Sequence, residues 1–355
     1  MKKANSPLTI LLFSSLVLLT SCTKKPVYAP INLHESMVST FVGSGVAGST
    51  DGTGKQASFH HLTALTIDAA NNLYVADDST GQIRKITATG GVSTLPDNGA
   101  ASGGTHYFSP SGLAIDKGGN FYINYTSDDV IRKVNPGATQ GAIFAGNYRQ
   151  TGALDGLGAL ATFNFANGLA IDAEGNIYVA DSGNNLIRKI TPQGNVTTLV
   201  GSGLTGSADG TGKAASFNFP IALTVDAAGN VYVADRGGNL IRKITSGGIV
   251  TTFAGSGHQG DSDGTGKAAS FGDPSGIAID SKGSLFVTDS DYGIIRKIDP
   301  SGKVTTIAGN TGQGADDGPG PIASFNDPIG IVIDKNDVIY VNDFGNNLIR
   351  KIVIQ

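Results

Sequence analysis

The stretch that decides the fold is GLAIDAEGNIYVADSGNNLIRKI, residues 168–190. It contains three short runs of β-branched and other apolar residues, separated by two turns rich in Gly and Asn. A fourth run, NVTTLVG, follows at 195–201. Runs of this length and composition, bounded by turn formers, are typical of β-strands joined by tight turns. The apolar positions are mostly continuous rather than alternating, which favours an antiparallel sheet covered on both faces.

The same pattern recurs along the chain. The string Ile-Arg-Lys, followed by Ile or Val, occurs six times at intervals of 48 to 56 residues, beginning at Ile83, Ile131, Ile187, Ile241, Ile295 and Ile349. A four-stranded sheet of about 50 residues, repeated in series, is the signature of a propeller blade. The sequence therefore predicts an all-β fold, a six-bladed β-propeller of four-stranded antiparallel blades over residues 38–355.

The two ends of this region predict how the ring closes. After the last Ile-Arg-Lys strand only Val353, Ile354 and Gln355 remain, so blade six lacks an outer strand of its own. The run VSTFVG at 38–43 matches the outer-strand pattern VTTFAG at 250–255. We expect this N-terminal strand to pair with the strand 348–352, which leaves no open first or last blade.

The N-terminal residues read as a targeting segment. Lys2 and Lys3 precede an apolar run at 7–19, which ends in LTSC at 19–22 and is too short to span a bilayer. This ending resembles the lipobox of bacterial lipoproteins. The resemblance implies a signal peptide at 1–21, a lipidated Cys22 with a tether over 22–37, and a protein held in the bacterial cell envelope by its lipid anchor alone, outside the cytoplasm. The alternative is an ordinary secretory signal with an incidental cysteine.

The repeat unit at 168–190 resembles the NHL repeat, and the whole of 38–355 is built of it. The intervening DGTGKAASF at 209–217 is similar to a loop of teneurin-like NHL propellers. The resemblance implies the six-bladed fold. Because NHL and related propellers bind proteins or RNA, hydrolyse lactones or act as lyases, the fold does not choose the function.

Composition narrows the function. The formal net charge is −4 and charged residues make up 15% of the chain, so no basic excess is present for nucleic acid. The single Cys rules out a disulfide framework. We expect a monomer that binds no nucleic acid and no cofactor. One loop, DSDGTG at 261–266, partly matches a calcium-binding loop, but Gly272 stands where a bidentate Glu belongs, so no metal is predicted.

Several features repeat in nearly every unit and are interpreted as structural. An Asp ends the second run in five units, where it can accept hydrogen bonds from turn N–H groups. The Arg-Lys pair of each unit predicts a solvated, laterally ion-paired surface. A glycine-rich Asp-Gly-x-Gly loop precedes five units, and the Phe that follows it is predicted to fill the gap between blades; these residues are Phe59, Phe163, Phe217, Phe271 and Phe325.

Departures from the repeat are the candidates for a binding site, and they cluster in blade two. Its leading loop is shortened and lacks Asp-Gly-x-Gly, and its second run ends in INYT rather than VADS. Aromatic rings beside amides suit sugar or peptide recognition. The predicted ligand-binding residues, on the face that carries the long loops, are His106, Tyr107, Asn124, Tyr125, Tyr148, Arg149 and Arg236, the two arginines as anchors for anionic groups. The competing interpretation is that these aromatic residues only fill the space left by the short loop.

Catalytic residues are not predicted. Gluconolactonase-like and strictosidine-synthase-like propellers rely on a Glu in the channel, whereas Glu35 and Glu174 lie in the tether and in a turn on the opposite face. Lyase-type NHL propellers hold zinc with several His, and His60, His61, His106 and His258 do not occupy equivalent blade positions. The sequence thus favours a module that binds a protein, peptide or glycan. The alternative is a lactonase- or lyase-type enzyme with a metal in the central channel.

Overall fold

In a computed structural model, which describes residue 1 and residues 36–96, 110–138 and 140–355, six antiparallel sheets form the blades of a propeller. The propeller lies within the compact unit 33–355. Cys22, His106 and Tyr107 lie outside the described residues, as do almost all of the predicted signal peptide and tether. No helix in the described part of the chain has the length and apolar character needed to cross a membrane.

The four main strands of each blade follow one another from the centre outwards. The inner strands are Leu62–Ile67, Pro110–Ile115, Ala166–Ile171, Pro220–Val225, Pro274–Ile279 and Pro328–Ile333. The second strands are Leu73–Asp77, Phe121–Tyr125, Ile177–Asp181, Val231–Asp235, Leu285–Asp289 and Ile339–Asp343. The third strands are Gln82–Ile86, Val130–Val134, Leu186–Ile190, Leu240–Ile244, Ile294–Ile298 and Leu348–Ile354. The outer strands of blades one to five are Gly91–Thr94, Ala142–Ala145, Asn195–Val200, Ile249–Ala254 and Lys303–Ala308.

The ring closes as predicted. The strand Ser36–Val42 is the outer strand of blade six, and it pairs antiparallel with Leu348–Ile354, Val38 opposite Ile352. It begins two residues before the predicted boundary at 38. Blade six is therefore assembled from both ends of the propeller.

The blades are not four-stranded throughout, which corrects the prediction. In five blades a two-residue strand from the leading loop is added outside the outer strand; these are Gly52–Thr53, Gly156–Leu157, Gly210–Thr211, Gly264–Thr265 and Gly318–Pro319. In the described part of blade two the sheet has four strands. The added strand begins at the Gly of the Asp-Gly-x-Gly loop, and its φ of +154° at Gly52 is a backbone conformation that L side chains rarely adopt.

Short 3-10 turns connect several of these strands. They are Gly54–Gln56, Thr126–Asp128, Gly158–Leu160, Ser182–Asn184, Gly212–Ala214, Arg236–Gly238, Gly266–Ala268, Ser290–Tyr292 and Phe344–Asn346. The turns between second and third strands lie at the same end of the propeller as the loops that lead into the inner strands, since Gly183 donates its N–H to the carbonyl of Asn164. We call this end the top face.

The hydrophobic core lies between neighbouring blades. One cluster joins Ala114 and Tyr122 of blade two to Leu169 and Val179 of blade three, and equivalent clusters fill the other gaps. The repeated Phe residues are fully buried, as predicted. Continuous apolar strands are therefore required, because both faces of each sheet are covered.

The arginines of the Arg-Lys pairs are not solvated, so that prediction is wrong in five blades. Arg188 has no exposed surface, and its guanidinium donates to Asp181 and Asp155, both at 2.8 Å, and to two backbone carbonyls. It also stacks over the ring of Phe163, 5.3 Å from the centroid. The equivalent buried residues are Arg84, Arg242, Arg296 and Arg350. The two repeated carboxylates thus pair with one repeated arginine, because a buried guanidinium needs such partners.

Candidate functional site

A cup opens where the six inner strands surround the central axis. Its volume is about 310 Å³, and each blade contributes its inner strand to the wall. The rim carries Arg236, Asp327 and Phe344, from loops and turns of the top face.

The wall of the cup changes character with depth. Nearest the top face, the wall is formed by the second residue of each inner strand. This residue carries a hydroxyl or amide group in four blades and is Ile in the other two. The six residues are Thr63, Ser111, Asn167, Ile221, Ser275 and Ile329. A ring of Gly or Ala follows. Next comes one aliphatic side chain per blade, from Leu65, Leu113, Leu169, Leu223, Ile277 and Ile331. Because a strand rises about 3.3 Å per residue, this aliphatic ring lies roughly 10 Å below the start of the strands.

The glycines in this wall are required by close packing. A Cβ on Gly112 would lie 2.2 Å from the carbonyl oxygen of Asn167 in the next blade, and one on Gly276 would lie 2.1 Å from that of Ile329. Neighbouring inner strands therefore approach through their backbones, which narrows the channel into a cup.

An ion pair spans two blades at the rim. The guanidinium of Arg236 donates to both carboxylate oxygens of Asp273, at 2.5 Å each, and this bidentate geometry is the strong form of such a pair. The pairing keeps the pKa of Arg236 above its ordinary value, although partial burial works against it. Arg236 thus lines the cup as part of an ion pair, and its role as an anchor for an anionic group stays a prediction.

Asp327 is the other acid of the rim. Its pKa is raised above the ordinary 3.8, first because the carboxyl is partly removed from water and next because Asp273 repels its charge, while Arg236 opposes the shift. In the described part of the chain, no hydrogen bond to its side chain is found. Asp327 therefore lines the cup with no hydrogen bond to its carboxyl group among the described residues, and the charge of Arg236 offsets the rise of its pKa only in part.

Aromatic side chains lie in several loops and turns of the top face, and one of them, Phe344, lines the cup. Phe344 stacks on His61 with centroids 5.1 Å apart and planes inclined by 15°. On blades three and four, Phe165 and Phe219 lie 6.1 Å apart, and Phe165 is 52% exposed. Both phenylalanines have left-handed backbone, with φ of 52° and 54°. A bulky residue rarely adopts this conformation, and such backbone strain is concentrated at functional sites. The exposed Phe165 ring is therefore a candidate for ligand contact.

Two of the predicted blade-two residues lie inside the protein. Asn124 is fully buried; it sits opposite Gly112, and its amide bonds to the backbone of blade three. Tyr125 is 1% exposed and lies under the guanidinium of Arg132, 5.7 Å from the ring centroid, at the position where other blades have the buried Asp. Burial removes both residues from the surface, which is a correction to the predicted site.

The remaining predicted residues are dispersed. Tyr148 is 42% exposed and lies beneath Arg149, whose Nε donates to Asp128 at 3.3 Å. Neither lines the cup. Of the predicted residues that the structure describes, it brings only Arg236 to the cup. A role in ligand contact stays a prediction for His106, Tyr107, Tyr148 and Arg149.

Sequence reasoning missed Asp327, Phe344 and Asp273, although the repeat contained a signal. The residue before each inner strand changes from blade to blade, as His61, Phe165, Phe219, Asp273 and Asp327. The residue after the second strand changes as well, with Arg236 and Phe344 as the large members. The rim residues can thus be found in the sequence as positions that vary between otherwise similar repeats.

The donor set does not fit the metal of lyase-type propellers. Within residues 36–96, 110–138 and 140–355, no three His, Cys, Asp or Glu side chains are grouped so as to hold a metal ion. The ring centroids of His60 and His61 lie 4.4 Å apart with the rings inclined by 45°, and Asp263 of the calcium-like loop accepts hydrogen bonds from Arg296 and Thr306. The side chains described around the cup therefore do not suit a catalytic zinc ion.

These features define a six-bladed β-propeller with a small cup at the top of its channel. The NHL repeat family model matches residues 163–190, and the pattern of this stretch recurs in the other blades. The chain is 28% identical over 290 residues to Protein SUPPRESSOR OF QUENCHING 1, chloroplastic, of Arabidopsis thaliana, which covers 72% of this chain and 26% of that protein. It is 31% identical over 237 residues to NHL repeat-containing protein 2 of Homo sapiens, covering 56% and 32%. It thus spans a quarter to a third of these relatives.

Solved structures share the fold at low identity. An auxiliary nutrient binding protein from Bacteroides ovatus superposes with a TM-score of 0.70 at 19% identity, covering 91% of this chain and 77% of that one. A gluconolactonase from Xanthomonas campestris superposes with a TM-score of 0.60 at 14% identity, covering 91% of both. At these identities the likeness shows the fold alone.

Proposed function

We propose that the protein is a cell-envelope lipoprotein whose propeller binds its ligand in the top-face cup. The observation that carries the binding role is a cavity of about 310 Å³ whose lining includes both the Asp327 carboxyl group and the Phe344 ring. Ligand sites are concave and largely apolar, with a few placed polar groups, and run from about 300 to 1,000 Å³. The cup is at the small end of this range, so it suits a small molecule or a single protruding group of a peptide or glycan.

The LTSC ending at 19–22 and solved structures with the same fold support the same assignment. A lipid on Cys22 would hold the cup outside the cytoplasm, where nutrients and envelope polymers are met. Propellers named as auxiliary nutrient binding proteins in two Bacteroides species have this fold. Ligand binding, rather than catalysis, requires no group beyond those found at the rim.

The test is to fill the cup. Ile329→Trp places a large ring among the wall residues, whereas Thr197→Trp adds the same ring to the exposed outer strand of blade three and serves as the control. A library of sugars, amino acids, amines and short peptides is screened by thermal shift. A ligand present at 100 times its Kd stabilises the folded state by about 2.7 kcal/mol. We expect hits with the wild type and the control but not with Ile329→Trp; hits that survive in the filled variant would place binding elsewhere.

A lactonase- or lyase-type enzyme is the alternative, and one observation favours it. A carboxyl group with a raised pKa in a cleft, such as Asp327, is a candidate general acid or base. Assays of lactone opening with the wild type and Asp327→Asn decide this point: turnover that is lost in the variant would establish the enzyme.

A further inference from the structure

The rim of the cup carries more negative than positive charge. Arg236 is the cation that lines the cup, and its Nε and one terminal nitrogen donate to the two carboxylate oxygens of Asp273. Asp327 and Asp291 add two further carboxylates whose charges act on the same region. One arginine therefore faces three carboxylates, and a negative field remains after the bidentate pair is formed.

The environment of the Asp327 carboxylate favours binding of a cation. Asp327 lines the cup, and its pKa is raised first by partial burial and then by the like charges of Asp273 and Asp291, while Arg236 opposes the shift. An incoming positive group would relieve both repulsions. The face of an aromatic ring also attracts cations, and Phe344 lines the same rim.

The deeper wall requires a different chemistry from the ligand. The aliphatic ring formed by one Leu or Ile per blade lies below the rim, and Ile221 and Ile329 extend it upwards on two blades. Burying hydrocarbon against such a surface contributes stabilisation in proportion to its area. A ligand that matches the whole cup is thus apolar at one end and positively charged at the other.

We propose that the cup binds an aliphatic ammonium ion, with its hydrocarbon body against the Leu/Ile ring and its ammonium group held by Asp327 at the rim. This inference rests on the proposed function, because it names the ligand class for the same cup. It differs from the anionic group predicted to bind Arg149 and Arg236, which stays a separate prediction.

The experiment measures binding by calorimetry to the full chain in detergent, with the same buffer as reference. The probes share a six-carbon chain and differ in the head group: n-hexylammonium, n-hexanol and hexanoate. We expect hexylammonium to bind at least about tenfold more tightly than the other two, since a hydrogen bond to a charged group is stronger than a neutral one. Equal affinity for the three, or preference for hexanoate, would overturn the proposal.

The variants separate the ligand class from the site. Asp327→Asn keeps the shape, and Asn tolerates the left-handed backbone at this position, where φ is 54°. It should weaken hexylammonium about tenfold and leave hexanol unchanged, while Asp261→Asn, on an exposed loop, should change neither. If hexylammonium does not bind but another ligand is blocked by Ile329→Trp, the ligand class is wrong and the proposed function stands. If hexylammonium binds equally to Asp327→Asn and Ile329→Trp, its site is not the cup and this proposal fails.

Discussion

At the scale of single residues, the buried arginine of the third strand connects the two repeated carboxylates in five of the six blades. Truncating Arg188 to Ala would leave Asp181 buried without its cation and remove donors from two backbone carbonyls. Breaking a buried ion pair by removing one partner costs about 3–5 kcal/mol. We expect Arg188→Ala to lower the free energy of unfolding by this amount, measured by denaturant titration.

The neighbouring residue supplies the control. Lys189 is only partly buried and lies over the ring of Tyr178, 5.4 Å from its centroid. Exposed cation–π contacts contribute about 0.5–1 kcal/mol, so Lys189→Ala should have a small effect. Similar losses for the two variants would mean that the arginine network is not the main stabilising contact of the blade.

The left-handed backbone of Phe165 indicates that replacing this residue can increase stability. Phe165 has φ of 52° and is half exposed, whereas Asn adopts this backbone readily. Relief of the conformation, worth about 1–2 kcal/mol, should outweigh the loss of the contact with Phe219, so Phe165→Asn is expected to keep or raise the melting temperature. The fully buried Phe163, two residues earlier, is the contrast: Phe163→Asn should destabilise strongly. A large loss for Phe165→Asn would show that its ring supports the fold.

The repeat alone reveals which single residues depart from it, but not which residues meet. Arg236 stands out in the sequence, yet its partner Asp273 comes from the next blade. The burial of Arg188 depends on Asp155, which lies 33 residues earlier in the leading loop. Asn124 stands out as well, although Asn342 occupies the same place in blade six, and that recurrence indicates packing. The roles of these residues depend on contacts between blades or between distant loops and strands. Such contacts cannot be predicted from the local sequence pattern.

At the scale of elements, the closing strand predicts a sharp boundary for truncation. Ser36–Val42 pairs with the third strand of blade six and with Gly318–Pro319, so its removal would expose edges on both sides. A chain starting at residue 36 should melt like the full chain. A chain starting at residue 43 should melt much lower, because strand pairing and burial in blade six are lost together. Equal melting temperatures by circular dichroism would contradict closure through this strand.

One loop carboxylate attaches the closing strand, and this contact depends on pH. Asp317 accepts from Thr40 at 3.1 Å and from Arg350 at 2.8 Å. Partial burial works to raise the pKa of Asp317, but the hydrogen bonds from Thr40 and Arg350 outweigh it and hold the pKa below 3.8. The folded state thus binds this proton less readily than the unfolded state, so the contribution is present above about pH 4 and is lost as the pH falls below 3.8.

We therefore expect Asp317→Asn to flatten the acid limb of the stability profile between about pH 4 and pH 2. The carboxylate is half exposed, so the effect should stay below about 1 kcal/mol. Denaturant titrations over this range, with Asp261→Asn as the matched exposed variant, measure it. An acid limb as steep as that of the wild type would mean that another carboxylate controls it.

The elements themselves are largely readable from the sequence, because four runs of β-branched residues and their turns recur six times. The fifth strand is not, since Gly52–Thr53 and its equivalents are two residues long and carry no periodic pattern. Such a strand exists only because the leading loop folds back onto the outer edge. Its formation therefore depends on tertiary contacts rather than on the local sequence.

At the scale of the whole molecule, the proposed anchor makes a direct prediction. Cys22→Ser should leave the melting temperature of the propeller unchanged, because the described fold begins at Ser36. It should release the protein from the membrane fraction, since acyl chains contribute about 0.8 kcal/mol for each buried CH₂. Fractionation followed by immunoblotting is the measurement. A Cys22→Ser protein that still sediments with membranes after a salt wash would rule out the lipid anchor.

The composite sixth blade has a topological consequence. Ser36 is paired directly with Ile354, so the two ends of the propeller lie within a strand spacing of each other. The closed ring therefore does not depend on which blade comes first in the chain. A circular permutant, joined by a few glycines across this gap and opened at a tight turn of another blade, should reach the same native ring with its cup intact.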